Sequence, residues 1–254
     1  YAPLGPSDKV PGSPISTVVA LADKIDTLTN FWAIEEKPTG SKDPFALRRS
    51  ALGMIRIIIE NDIRFSLSEV LELGSKKADI EDLKEFIYQR MKVFLREKEL
   101  RHDIIDACLS IDKEDDLALS VKKSSALMEF IKTSDGSNLI QGFKRANNIL
   151  LQAEKTDGVE YSFGADLKYA KEDAELNLFS VLDSEEVKIK TSLEREDFVE
   201  AMNSMANLRA PIDSFFETVQ INSDVDHIRR NRLNLLSRIC KLCLSVADLT
   251  KVEG

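Results

Sequence analysis

The sequence has 254 residues, 43% of them hydrophobic and 31% charged, enough apolar material for one large core or two to three small ones. With 44 acidic against 35 basic residues the net charge is −9, which excludes a uniformly basic nucleic-acid coat; any such role needs a local basic face on an acidic body. Three cysteines are too few for a disulfide framework, and no stretch approaches the ~20 apolar residues of a membrane span, so a cytoplasmic location without membrane contact is expected.

Ten glycines and seven prolines leave long uninterrupted segments, which favours an all-α chain of helical bundles. Pro3, Pro6, Pro11 and Pro14 crowd an extended entry, and Ser13-Pro14 starts a helix predicted to run to about Asn30. Asp23 and Asp26 on that helix are metal-ligand types, but one helix does not supply the three converging ligands a site needs. His102-Asp103, the only His-Asp pair, starts a later helix and reads as capping or surface chemistry. Residues 31–43 form a loop with Lys37, Gly40 and Lys42, without the spacing of a phosphate-binding P-loop. Asp43 is placed as N-cap and Pro44 as first residue of a second helix, where Leu47, Ala51, Leu52, Met54, Ile55, Ile58 and Ile59 share one face. Arg49 and Arg56 flank Gly53 on another side. That notch suits a phosphate backbone, or it is an ordinary solvated face with an Arg56–Glu60 pair.

From Phe65 to Leu150 the apolar spacing predicts a series of short helices, with Asp79 or Asp82 opening one and Asp135-Gly136-Ser137 making a turn before the last. On that last helix Lys144 and Arg145 sit beside Asn147 and Asn148: either an RNA contact or the closure of an interhelix hydrogen-bond network. Residues 152–169 are polar, carry Gly158 and Gly164, and read as a linker. Beyond it come helices over 172–182, 197–208, 211–221 and 225–249, a bundle of their own. From His227 to Ala247 the last helix holds five Lys or Arg and no acid. Arg230, Asn234, Arg238 and Lys241 gather on one face as a basic ridge suited to RNA, with Arg229 beside them. Arg232 falls in the apolar sector instead, and is expected to pair with an acid such as Asp213 or Glu217. Cys240 and Cys243 stand three apart on the core side, which suits packing; no second ligand pair suggests zinc, and no nucleophile–base pair suggests catalysis.

The run ADKIDTL…FWAIEEKPTGSKDPFALRRSALGMIRII (residues 22–58) resembles the signature of bacterial glycyl-tRNA synthetase β subunits. The likeness continues through DGSNLIQGFKRANNIL (135–150) and IDSFFETV…IRRNRLNLLSRICKLCLSVADL (212–249). YAPLGPSD resembles the middle of such a subunit and there is no initiator Met, so the chain is expected to be its C-terminal part. The resemblance implies the tail of an HD-like region and a Pro/Gly loop over 1–64, a helical middle over 65–151, a linker over 152–169 and a DALR-type anticodon-binding bundle over 170–254. In that bundle Asp213, Phe215, Phe216, Val219, Arg229, Asn231, Arg232 and Leu233 carry the match. Gln220-Ile221-Asn222 departs from the usual Met-rich string.

The implied function is to bind and position tRNA(Gly) for ATP-dependent glycylation, with the adenylating site on a separate α subunit of an α/β hetero-oligomer, in α2β2 form. ATP and Mg2+ then belong to the whole enzyme, with no cofactor, metal, catalytic residue or DNA partner expected for this chain. The alternative is an all-helical protein-interaction scaffold, whose working surface would be apolar. The candidate tRNA contacts are Arg49, Arg56, Lys144, Arg145, Arg229, Arg230, Asn234, Arg238 and Lys241.

Overall fold

A computed structural model describes residues 2–5, 7–110 and 115–253, so Tyr1 and Pro6 of the extended entry lie outside the described residues. Every regular element among them is helical, as the few glycines and prolines imply. The chain divides into two compact units, one of Tyr1–Ile105 with Asp112–Lys122, the other of Asp106–Ile111 with Lys123–Gly254.

The first unit holds α1 (Pro14–Ala33), α2 (Leu47–Glu60), α3 (Leu67–Gly74) and α4 (Ile80–Glu97). Ser13 caps α1 by accepting from Ser16 N–H, with Pro14 just inside the helix start. Asp79 caps α4 in the same way through Asp82 N–H. The start of α2 differs from expectation. Its helical residues begin at Leu47, behind Ala46 at φ +56°, while the Asp43 carboxylate reaches over to accept from Leu47 N–H at 2.8 Å and Arg48 N–H at 3.0 Å. Asp43 therefore caps the first turn from outside it, as Phe45 folds back to stack on Phe31 with centroids 4.2 Å apart. α2 packs against α1 and α4, and α3 packs against both α1 and α4.

The α2 wheel predicted one apolar face, yet Gly53, Arg56 and Ile57 are buried along with Met54 and Ile55. The residues before α1 cover the other side. Arg56 donates to the carbonyls of Gly5 (3.0 Å) and Asp8 (2.7 Å) and pairs with Glu60 at 3.0 Å. A Cβ on Gly53 would lie 3.2 Å from the Pro3 carbonyl and 2.6 Å from the end of the Lys24 side chain, so glycine lets the entry segment and Lys24 approach closely here. The entry segment thus covers a second side of α2, and Arg49 and Glu60 are left exposed on the remainder.

The second unit holds α7 (Ser134–Asp157), α8 (Asp173–Glu194), α9 (Phe198–Ala206), α10 (Arg209–Thr218) and α11 (Asp226–Leu244). The helices α5 (His102–Leu109) and α6 (Leu117–Ile131) each give residues to both units. α7 packs along α11 and against α10, while α8 packs against α9, α10 and α11. Phe143, Leu178, Leu182, Phe215, Leu233, Leu236 and Ile239 fill the core between them.

Two expectations change here. Asp135-Gly136-Ser137 is the first turn of α7, capped by Thr133, which accepts from Gly136 N–H. A Cβ on Gly136 would fall 2.1 Å from the Phe130 carbonyl, so glycine serves close approach and not a turn conformation. Residues 152–169 do not link two domains. Residues up to Asp157 finish α7, and the rest runs back along α11 within the same unit. Tyr161 is buried there, Asp166 N–H donates to Asn231 Oδ1 at 2.7 Å, and the 3-10 turn Leu167–Tyr169 contacts α11. Polar composition hid these anchors. The second unit therefore takes in all of α7 and parts of α5 and α6, upstream of the expected boundary at 170, and α3 and α4 belong with α1 and α2.

Candidate nucleic-acid interface

The α10–α11 corner is set by one buried ion pair. Arg232 does lie in the core, but its partner is Glu175 of α8, not Asp213 or Glu217: Nε and Nη2 donate to the two carboxylate oxygens at 3.0 and 2.9 Å. Its third donor, Nη1, holds the Gln220 carbonyl at 2.8 Å. Glu175 also accepts from Lys171 and Glu172 N–H at the start of α8. Burial works to raise the Glu175 pKa, but Arg232 and these backbone donors outweigh it and hold the carboxyl below its ordinary value. The loop after α10 is thus fixed through Gln220.

Beside that loop lies a cleft of about 680 Å³ lined by Arg145, Gln152 and Thr156 of α7, Phe216 of α10, Gln220 and Asn222 of the loop, and Arg229 of α11. The Arg145 guanidinium stacks on the Phe216 ring, 4.4 Å from its centroid. Phe215 next to it is wholly buried, so α10 turns one phenylalanine in and leaves the other half-exposed at the rim. Arg229 is oriented by Asp157 (2.8 Å), Tyr161 Oη (3.2 Å) and Asn222 Oδ1 (3.3 Å). Tyr161 donates to Asp157, and together with Arg229 holds that carboxyl below its ordinary range. A further hollow of about 480 Å³, lined by Asn138, Gln141 and Arg209, also borders Arg145 and Phe216. Arg209 is itself drawn to Asp135 and Asp213 at 2.9 and 3.3 Å. Two arginines, an accessible ring and four neutral polar side chains in one cleft provide what an unstacked base and its phosphates require.

Of the nine candidate contacts, the structure brings Arg145 and Arg229 together in this cleft. Arg49 is exposed on α2, but Arg56 is buried against the entry segment and withdraws from the surface, so the Arg49–Arg56 notch is filled. Lys144 turns from Arg145 and donates to the Val252 carbonyl. Asn147 is half-buried and Asn148 exposed on the same helix.

The α11 ridge also changes character. Arg230 and Lys241 are exposed, and Lys241 donates to the Ser162 carbonyl at 3.2 Å. Arg238 meets Asp183 and Glu186 of α8 at 2.7 Å each; burial opposes its charge, but the two acids outweigh that and keep its pKa raised. Asn234 is buried, its Nδ2 on the Arg230 carbonyl at 3.0 Å and its Oδ1 without a donor among the described residues. The wheel predicted a shared face correctly in angle, while α8 supplies acids that neutralise its middle. Gln152, Thr156 and Asn222 were missed. The adjacent phenylalanines 215 and 216, one forced outward by helical period, were the signal for that cleft.

Cys240 and Cys243 are buried in the α11 core, and burial pushes the Cys240 thiol up to about 12. Among the described residues no three His, Cys, Asp or Glu side chains converge to hold a metal ion, and no helix is long and apolar enough to cross a membrane.

A helical bundle with this corner and cleft falls in a recognisable class: residues 139–253 match the family described as DALR anticodon binding domain, starting within α7. Residues 1–110 match the family described as glycyl-tRNA synthetase beta subunit. Over 254 residues the chain is 60% identical to a glycine–tRNA ligase beta subunit of Ruegeria sp. (strain TM1040), covering 100% of the chain and 37% of that relative. It is 57% identical over 254 residues to that of Paracoccus denitrificans, again 100% of the chain and 37% of the relative. To that of Dinoroseobacter shibae it is 53% identical over 289 residues, 100% of the chain and 40% of the relative. The chain belongs to the glycyl-tRNA synthetase beta-subunit family and carries an anticodon-binding DALR domain.

Proposed function

We propose that this chain holds the anticodon arm of tRNA(Gly) in the α7–α10–α11 cleft, positioning the tRNA for glycylation by a separate α subunit of an α2β2 enzyme in the cytoplasm. ATP and Mg2+ serve that reaction in the whole enzyme, and the described residues of this chain contribute binding. The observation that carries the reading is the Arg145–Phe216 stack in a cleft that Arg229 closes, inside the segment matching an anticodon-binding domain. A pocket of this form accepts an unstacked RNA base, whereas duplex DNA asks for an element that enters a groove.

The test is a titration of the chain with tRNA(Gly) and with an anticodon-altered tRNA at two salt concentrations. Phe216→Ala is expected to weaken tRNA(Gly) binding about tenfold, since stacking one base on a ring contributes ~1–3 kcal/mol. Arg145→Ala lowers the affinity and flattens its salt dependence. Equal affinity for the two tRNAs, unmoved by Phe216→Ala, refutes the assignment.

A second reading has its own support. Ile15, Val18 and Val19 of α1 are 80%, 65% and 40% exposed, on one stripe near the start of the helix. Such a stripe suits a protein contact, so a scaffold role in the first unit is compatible with RNA binding in the second.

A further inference from the structure

A second cleft in the DALR-matching unit lies away from the Arg145–Phe216 stack, between α8 and α11, with a volume of about 470 Å³. Leu193 and Leu242 give it apolar walls, and Lys190 and Lys241 line it with positive charge, while the lining Arg238 is neutralised by Asp183 and Glu186. Glu186 is spent on Arg238, and Glu194 lies at the rim. Lys190 is exposed and has no ion-pair partner among the described residues. Asn234 stands in the wall with its Nδ2 committed to the Arg230 carbonyl, leaving Oδ1 a buried acceptor with no donor among the described residues, which is costly unless something supplies one.

Phe163 directly precedes Gly164, a residue of the cleft lining. It is 96% exposed, between Ser162, whose carbonyl is held by Lys241, and Gly164, which lines the cleft. Gly164 has φ +88°, and nothing lies within 4 Å of where its Cβ would be, so the ring sits on a left-handed, sterically open loop. A fully exposed phenylalanine contributes nothing to the core. Beside an apolar slot flanked by cations, its chemistry is that of a stacking platform for a charged, planar ligand.

We propose that this cleft seats a second unpaired RNA base, with Phe163 stacked over it, Lys190 and Lys241 on the flanking phosphates, and a base amino group donating to Asn234 Oδ1 as the base settles. The inference rests on the RNA-binding reading above and extends it. α11 serves both clefts, Arg229 near its start and Lys241 twelve residues later, about 18 Å apart at 1.5 Å per residue.

The experiment titrates the full chain with a single-stranded adenosine pentaribonucleotide at low salt. Phe163→Ala weakens binding about tenfold, and Phe163→Tyr restores it, because either ring stacks. A pentamer of N6,N6-dimethyladenosine, which lacks the amino donor, binds the wild type about fivefold less tightly and the Asn234→Ala variant no differently from the adenosine pentamer. Unchanged binding by Phe163→Ala, or a loss that Phe163→Tyr does not restore, overturns the proposal; equal affinity of the wild type for the two pentamers overturns its Asn234 contact. Phe216→Ala separates the readings. A loss there with none at Phe163 sinks this inference alone, and the reverse sinks the α7–α10–α11 assignment while this one stands.

Discussion

Arg232→Met removes one partner of a pair whose side chains are 7% and 0% exposed. Glu175 is then left buried with two backbone donors and no cation, and the Gln220 carbonyl loses its guanidinium bond. Breaking a buried pair from one side costs about 3–5 kcal/mol, because desolvation of the remaining charge is no longer offset. In urea, where small domains show slopes of about 1–3 kcal/mol per M, the midpoint seen by circular dichroism moves down by more than about 1 M. Adding Glu175→Gln removes the stranded charge while keeping an oxygen for the two N–H groups, so the double variant returns to within about 1–2 kcal/mol of the wild type. The pH dependence has a definite sign. The Glu175 pKa is depressed below 4.5 in the fold, so the stabilisation is complete above that value and is lost as pH falls through the folded pKa. The gap between wild type and Arg232→Met therefore narrows in acid. A single-variant loss under about 1 kcal/mol, or a double variant no better than the single, refutes the reasoning.

Two other expectations concern the first unit. Arg56→Ala frees the carbonyls of Gly5 and Asp8, so limited proteolysis before Pro14 quickens; equal cleavage of both forms contradicts the cover described for α2. Trp32, the sole tryptophan, donates from Nε1 to Asp82 at 2.6 Å, and Lys37 with Trp32 holds the Asp82 pKa below 3.8. Its fluorescence should change in acid with a midpoint below 3.8, and show no such transition in Asp82→Asn; a midpoint at or above 3.8 contradicts the pairing.

Helices were legible because apolar spacing is local: α1 and α4 fall close to where the pattern and caps put them, and α11 starts where the pattern does, without a side-chain cap, and ends at Leu244, short of the expected 249. What the sequence withheld was long-range satisfaction of charge. The wheel showed that Arg232 must be buried, but the matching carboxylate is 57 residues away on α8, and the nearer acids Asp213 and Glu217 looked as suitable. Arg238 and Arg56 read as surface cations because nothing local reveals that Asp183 and Glu186, or the Gly5 and Asp8 carbonyls, come across to meet them. Residues 158–169 looked like a linker since their fixings, Tyr161 to Asp157 and Asp166 to Asn231, are few and spaced among polar residues. Of the interface, Arg145 and Arg229 were legible as basic groups beside amides. Their meeting was not, because it depends on α7 lying along α11.

The three cysteines gain a use from their burial. Cys108, Cys240 and Cys243 all belong to the second unit and all are enclosed, and for Cys240 and Cys243 burial also raises the thiol pKa. A sulfur that is both covered and protonated ignores an alkylating reagent until the helices around it part. Timed labelling of the unaltered chain is therefore a clock for the breathing of the bundle, and on the RNA-binding reading proposed above, added tRNA slows it.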